Sequence, residues 1–184
     1  MAAKGDSKSG AMSRRKGVTF ERKCARLFAA WWGGQVQRTP LSGAYAPEWR
    51  LAGDLMFVDP WPFEVEIRNR ENWHLEQLFE GTGPVMKWID EIEERAKDSG
   101  LRPMLVLHRN RVPALIVLRG EDLVALGWTQ LTDVPVCVPS PRWAIMSLET
   151  FFARVSPDRV KTLISTTPGA RKVDTAPDRP LDFT

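Results

Sequence analysis

The segment Phe63–Arg68 alternates without a break, with Phe63, Val65 and Ile67 in one register and Glu64, Glu66 and Arg68 in the other. Side chains leave a β-strand on opposite faces in turn, so a repeat of two reads as a strand with one apolar and one charged face. Just before it, Asp54-Leu55-Met56-Phe57-Val58 forms a second candidate strand that opens on an aspartate directly after Gly53, and DPWP turns the chain between the two. The charged face then has two readings. It is an ordinary solvated strand face, or it is a set of carboxylates brought together by neighbouring strands.

Helical periodicity brackets this pair. Phe20, Cys24, Leu27, Phe28 and Trp31 fall on one stripe, which predicts a helix over Val18–Trp32 that Gly33-Gly34 ends. Gln35–Arg38 is short and extended, and TPLSGAYAPEWRLAG is a loop without periodicity. Val85, Ile89, Ile92 and Ala96 predict a second helix over Pro84–Lys97, with Pro84 in its first turn and Gly100 as its stop. Met104–His108 and Ala114–Leu118 read as strands joined by the basic turn Arg109-Asn110-Arg111. A strand at Trp143–Met146 and a helix at Leu148–Val155 follow. That order predicts an α/β fold with a mixed central sheet flanked by helices.

Charge is unevenly placed. The chain carries a net +3, but residues 1–16, with Lys4, Lys8, Arg14, Arg15 and Lys16 against Asp6, hold +4, leaving −1 for the rest. A basic arm ahead of a near-neutral domain suits phosphate contact, and serves equally as a solubilising tail. The expected organisation is a flexible basic arm at 1–16, one domain over 17–165, and a disordered Pro-rich tail from 166 to 184. No apolar run approaches the roughly 18 residues of a membrane span, and the N-terminal stretch lacks a secretory signal. Cys24 and Cys137 lie far apart with no ligand spacing, as in reduced thiols of a cytosolic protein.

The chemistry follows from the charged face. Carboxylates on adjacent strands can converge on a hard cation such as Mg²⁺, which takes oxygen ligands and keeps several waters. Such a cation polarises a phosphoryl oxygen and lowers the pKa of a water, the two services that phosphodiester hydrolysis needs. Arg68, two residues past Glu66, lies on the same face, where it can meet developing charge.

The segments GVTFER, RTPLSG, GDL and FEVEIRN, in that order, resemble the archaeal-type Holliday junction resolvases and related phage-borne nucleases of the PD-(D/E)XK superfamily, over about residues 14–118. The resemblance implies a restriction-endonuclease-like core that hydrolyses phosphodiesters in branched DNA, the four-way junction first among its substrates. It implies Mg²⁺, with Mn²⁺ able to substitute, held by Asp54, Glu66, the backbone carbonyl of Ile67 and Glu21. It also implies a homodimer working in the cytoplasm.

Residue by residue, Glu21 stands for the family's helix carboxylate, Asp54 for the motif aspartate and Glu66 for the glutamate of E-x-K. Arg68 occupies the lysine position. Ser42 matches a loop serine that helps align the scissile strand, and Glu76-Gln77 resembles a glutamine-bearing segment. The one departure is Arg68, because arginine stays charged and cannot act as a base, though its fork can fix a phosphate. Glu21 borders the helix stripe, as a third carboxylate or as a surface residue paired with an arginine. Glu64 reads as a further carboxylate or as an exposed strand residue.

Arg14, Arg15, Lys16, Arg38, Ser42, Arg70 and Gln77 are the expected DNA contacts, with Arg50, Arg109 and Arg111 in loops near the site. Trp31 and Trp88 are expected in the core, while Trp49, Trp61 and Trp73 either stack on bases, line a dimer interface or bury in the fold. His74 and His108 are too scattered for a metal site.

Overall fold

The computed structural model describes residues 6–39, 53–128, 137–140 and 142–170. Helix α1 (Asp6–Trp32) leads into strand β1 (Val36–Arg38), which pairs antiparallel with β2 (Leu55–Phe57). Strand β3 (Phe63–Asn69) follows, then the short helix α2 (Glu76–Glu80) and the crossover helix α3 (Gly83–Ser99). The chain continues through β4 (Arg102–His108), β5 (Leu115–Arg119), α4 (Gly120–Ala125), β6 (Cys137–Ser140), β7 (Trp143–Ser147), α5 (Leu148–Arg154) and α6 (Pro157–Ile164).

The main sheet has five strands in the order β3-β4-β5-β7-β6. Strands β3 and β4 are parallel, as a helical crossover requires, and the remaining pairs are antiparallel. The sheet is therefore mixed, with helices on both faces, as expected.

Both faces carry a core. Phe20, Cys24 and Phe28 of α1 pack with Val65 and Ile67 of β3, Met104 and Val106 of β4, and Phe151 of α5. On the other face Val85, Ile89 and Ile92 of α3 cover Leu105, Leu107, Val117 and Ile145. Strand β4 is apolar in both registers because a layer covers each side of it. The same covering applies to β3, whose residues Phe63–Ile67 are all buried. Its charged register lies beneath α3, so the solvated-face reading fails.

Other expectations shift in instructive ways. Helix α1 begins at Asp6 rather than near Val18, so much of the basic segment is written onto the same helix. Its buried stripe runs Phe20, Cys24, Phe28, Trp32, while Leu27 is 39% exposed and Trp31 half-buried. Steps of four residues drift around a helix of 3.6 residues per turn, and the drift carries Trp32 inward and Leu27 out.

Trp61 and Trp73 are buried, Trp61 stacked on Phe57 with ring centroids 3.9 Å apart. Trp88 is only half-buried. Thr166–Ala170, assigned to the tail, packs on the body: Gly169 N–H donates to the Gly100 carbonyl (2.9 Å), and the Arg102 guanidinium reaches the hydroxyls of Thr166 and Thr167. Among the described residues no helix is long and apolar enough to cross a membrane. Burial pushes the Cys24 thiol up to about 12, which makes it an inert core residue.

Candidate active site

Gly53 sets the geometry. Its φ is +75°, and a Cβ there would stand 2.3 Å from the Val65 carbonyl oxygen. Only glycine allows the chain entering β2 to come this close to β3. Directly after it, the Asp54 N–H donates to the Val65 carbonyl (2.7 Å) and the Asp54 Oδ2 accepts from the Ile67 N–H (2.8 Å). The aspartate, 7% exposed, is thus clamped along the edge of β3 away from β4. A strand residue turns its N–H and C=O to the same edge, so the Ile67 carbonyl also faces the side on which Asp54 lies.

Glu64 and Glu66 are each 2% exposed. Glu66 is gripped from two directions: Arg68 pairs with Oε1, and Arg95 of α3 donates from Nη2 to Oε2 at 2.7 Å. Arg68 also reaches Glu91 Oε2 (3.2 Å). Glu64 accepts from the Ser99 hydroxyl (2.7 Å) and lies 3.7 Å from Arg95 Nε. An open groove lined by Arg68, Glu91, Glu94, Arg95 and Asp98 leads from these guanidinium groups to solvent. Glu21 is half-buried on α1 and pairs with Arg38 of β1.

The electrostatics single out Asp54. Burial, then the Glu66 carboxylate, and further out Glu21, push its carboxyl up to about 7 against the opposing Ile67 N–H and Arg68. Burial likewise raises Glu64, against its bonds from Ser99 and Arg95. Burial and a neighbouring carboxylate act on Asp54 together, and both disfavour its charged form.

The donor set fits a hard divalent cation: two carboxylates, Asp54 and Glu66, with the Ile67 carbonyl on the same edge. Among the described residues no three His, Cys, Asp or Glu side chains form a closed cage. Mg²⁺ needs none, since it binds through one or two carboxylates and retains its waters.

The structure therefore brings together Glu21, Asp54, Glu66, Ile67, Arg68 and Arg38. Lys16 and Arg15 lie at the same end of β3, where the Asn69 amide donates to the Lys16 carbonyl (3.2 Å) and its oxygen meets His108 Nδ1 (2.9 Å). Arg70 is exposed just beyond β3.

Gln77 does not join the site. Its side-chain oxygen accepts from the His74 N–H (3.1 Å), a local bond at the start of α2. Arg109 is occupied by the Trp73 carbonyl (2.8 Å) and lies over the Trp73 ring. Ser42, Trp49 and Arg50, and the side chain of Arg14, lie outside the described residues.

Sequence reasoning left one participant open and missed another. Glu64 is a fully enclosed member of the cluster rather than an exposed strand residue, because α3 closes over it. Arg95 went unnoticed; its signal was a cation three residues after Ile92, at the border of the helix's buried stripe.

A mixed sheet with a buried carboxylate pair on the glycine-guided approach of β2 to β3 has the architecture of the PD-(D/E)XK nucleases. Residues 12–156 match the family model described as "Phage putative PDDEXK endonuclease", and the chain belongs to that family. Its members are nucleases, a class that acts on DNA and generally uses divalent metal ions.

No curated protein matches the chain. Among solved structures it is similar to Hjc, a Holliday junction resolvase from the archaeal hyperthermophile Archaeoglobus fulgidus, at 12% identity and a TM-score of 0.36. That match covers 79% of this chain and 98% of the other, and is too distant to carry chemistry across.

Proposed function

We propose that the protein is an endonuclease that uses Mg²⁺, or Mn²⁺ in its place, to hydrolyse phosphodiester bonds in branched DNA, with a four-way junction as its substrate. The supporting observation is the meeting of Asp54 and Glu66 at the β2–β3 approach, where burial and the Glu66 carboxylate push the Asp54 carboxyl up to about 7. Asp54, Glu66 and the Ile67 carbonyl hold the ion, and Glu21 assists from α1 directly or through water. The bound metal supplies Lewis-acid polarisation of the phosphate and a water of lowered pKa.

The protein's own groups do the rest. The Ile67 N–H fixes one Asp54 oxygen, which leaves the other to face the cation. Arg68 remains charged throughout and steadies the scissile phosphate or the attacking water through its fork. Arg15, Lys16 and Arg70, at the end of β3, contact phosphates and so position the DNA without reading its sequence. Ser42 aligns the cut strand. Branched DNA is favoured by the order of the GVTFER, RTPLSG, GDL and FEVEIRN segments. A junction presents two equivalent strands, which a twofold homodimer would cut symmetrically.

A second reading has its own observation: both Glu66 oxygens are engaged by guanidinium groups, and arginine stands in the lysine position. On that reading the fold binds DNA without cutting it. Nicking of a synthetic four-way junction separates the two. Metal-dependent cleavage by the wild type, lost in Asp54→Asn and Glu66→Gln, supports the nuclease. Tight binding with no cleavage in Mg²⁺ or Mn²⁺ overturns it, and activity appearing only in Arg68→Lys identifies the arginine as the lesion.

A further inference from the structure

Among the described residues, Arg95 is the one side chain that touches both buried carboxylates of β3, with Nη2 2.7 Å from Glu66 Oε2 and Nε 3.7 Å from Glu64 Oε1. It comes from a different layer, α3, and 43% of its side chain remains exposed to the groove it shares with Arg68. We propose that Arg95 is a positioning residue that aims Glu66 at the divalent cation, with Glu64 and Ser99 as its anchor. The inference rests on the nuclease reading of the site.

Each end of the Glu66 carboxylate meets a different arginine. Arg68 sits two residues along the same strand and approaches Oε1, while Arg95 approaches Oε2 from the helix. Two opposed guanidinium groups fix the plane of a carboxylate in a way that one cannot. Without Arg95, the carboxylate is free to turn into the bidentate fork of Arg68, the favoured geometry for that pair, and loses the orientation that Arg95 holds.

Glu64 explains why Arg95 is well placed. It is buried, accepts from Ser99 at 2.7 Å and presents its other oxygen to the Arg95 Nε. A carboxylate at 2% exposure, shut away from solvent, is accounted for as the anchor that holds this guanidinium in line. Hydrogen-bond partners behind a metal ligand typically govern affinity by about 10- to 100-fold.

The test is Mn²⁺ binding to the full-length protein by titration calorimetry, with folding checked by thermal melting. Arg95→Ala is expected to bind Mn²⁺ at least about tenfold more weakly than wild type. Arg95→Lys should recover only part of that loss, since it restores the charge but not the fork. Glu64→Gln, which leaves both ligands intact, should weaken binding in the same direction. Lys87→Ala, on the same helix but outside the cluster, should leave it unchanged. Metal affinity unchanged in both Arg95→Ala and Glu64→Gln would overturn the role of Arg95 and leave the nuclease standing. A wild type that binds no Mn²⁺ would overturn both.

Discussion

Helix α3 covers two clusters of buried charge that are built on different balances. At one, Glu93 is 6% exposed and takes Arg142 on both oxygens (2.6 and 2.7 Å) together with Arg119 at 3.0 Å. Glu93 there meets two guanidinium groups, one of which, Arg119, also reaches the exposed Glu121 at 3.4 Å, so charge is balanced. At the other, around β3, Glu21, Asp54, Glu64 and Glu66 are interspersed with Arg38, Arg68 and Arg95, and Arg68 is shared with Glu91. The first cluster ties α3 to the ends of β5 and β7 and wants nothing more. The second has carboxylates in surplus, and its one aspartate is pushed up to about 7 by burial and by Glu66. Burial alone therefore does not distinguish a fastening from a site; the sign of the uncompensated charge does.

Paired substitutions should break the comparison most sharply. Glu66→Gln should lower junction cleavage by about 10³-fold, the scale on which a group serving the transition state is felt. Glu93→Gln should leave cleavage within about threefold, since distant sites act independently, yet cost about 3 kcal/mol in urea unfolding because two guanidinium groups lose their anion. Cleavage lost equally in both would erase the distinction between the clusters.

Gly53→Ala comes next. A side chain at φ +75° and 2.3 Å from the Val65 carbonyl must shift the approach of β2, at a cost of about 2 kcal/mol, with cleavage falling through displacement of Asp54.

The smallest effect is a linkage of metal and proton. The Asp54 carboxyl, ordinarily at 3.8, titrates near 7 in the fold, so the folded chain holds its proton through that window. Without metal, stability from this group therefore declines as pH rises from 3.8 towards 7, and the loss is complete above it. Added Mg²⁺ or Mn²⁺ should raise the melting temperature more at pH 8 than at pH 5.5, where it must displace the proton. Asp54→Asn should melt higher than wild type at pH 8 in the absence of metal. Equal metal stabilisation at both pH values would argue that the ion does not bind Asp54.

The strand pair was legible because its evidence is local: alternation in Phe63–Arg68, and a glycine beside an aspartate. The stripe of α3 was legible for the same reason, with Val85, Ile89, Ile92 and Ala96 all buried as spaced. The fate of the charged register was not. Whether Glu64 and Glu66 face water depends on which layer lands on them, and that is a tertiary fact that no period of two records. Arg95 was hidden likewise, since its partners lie 29 and 31 positions back in the chain. Gln77 misled in the reverse sense, because its neighbour in sequence, His74, claims it before the site does.

The most direct test of a cation at Asp54 and Glu66 is anomalous scattering from crystals of the protein grown with Mn²⁺ and a four-way junction fragment. We predict a manganese peak bounded by the carboxylates of Asp54 and Glu66 and the carbonyl of Ile67, at about 2.0–2.2 Å from their oxygens. The ion should lie beside the scissile phosphate. Density for bound DNA with no manganese at Asp54, or with the ion held elsewhere on the chain, would contradict it.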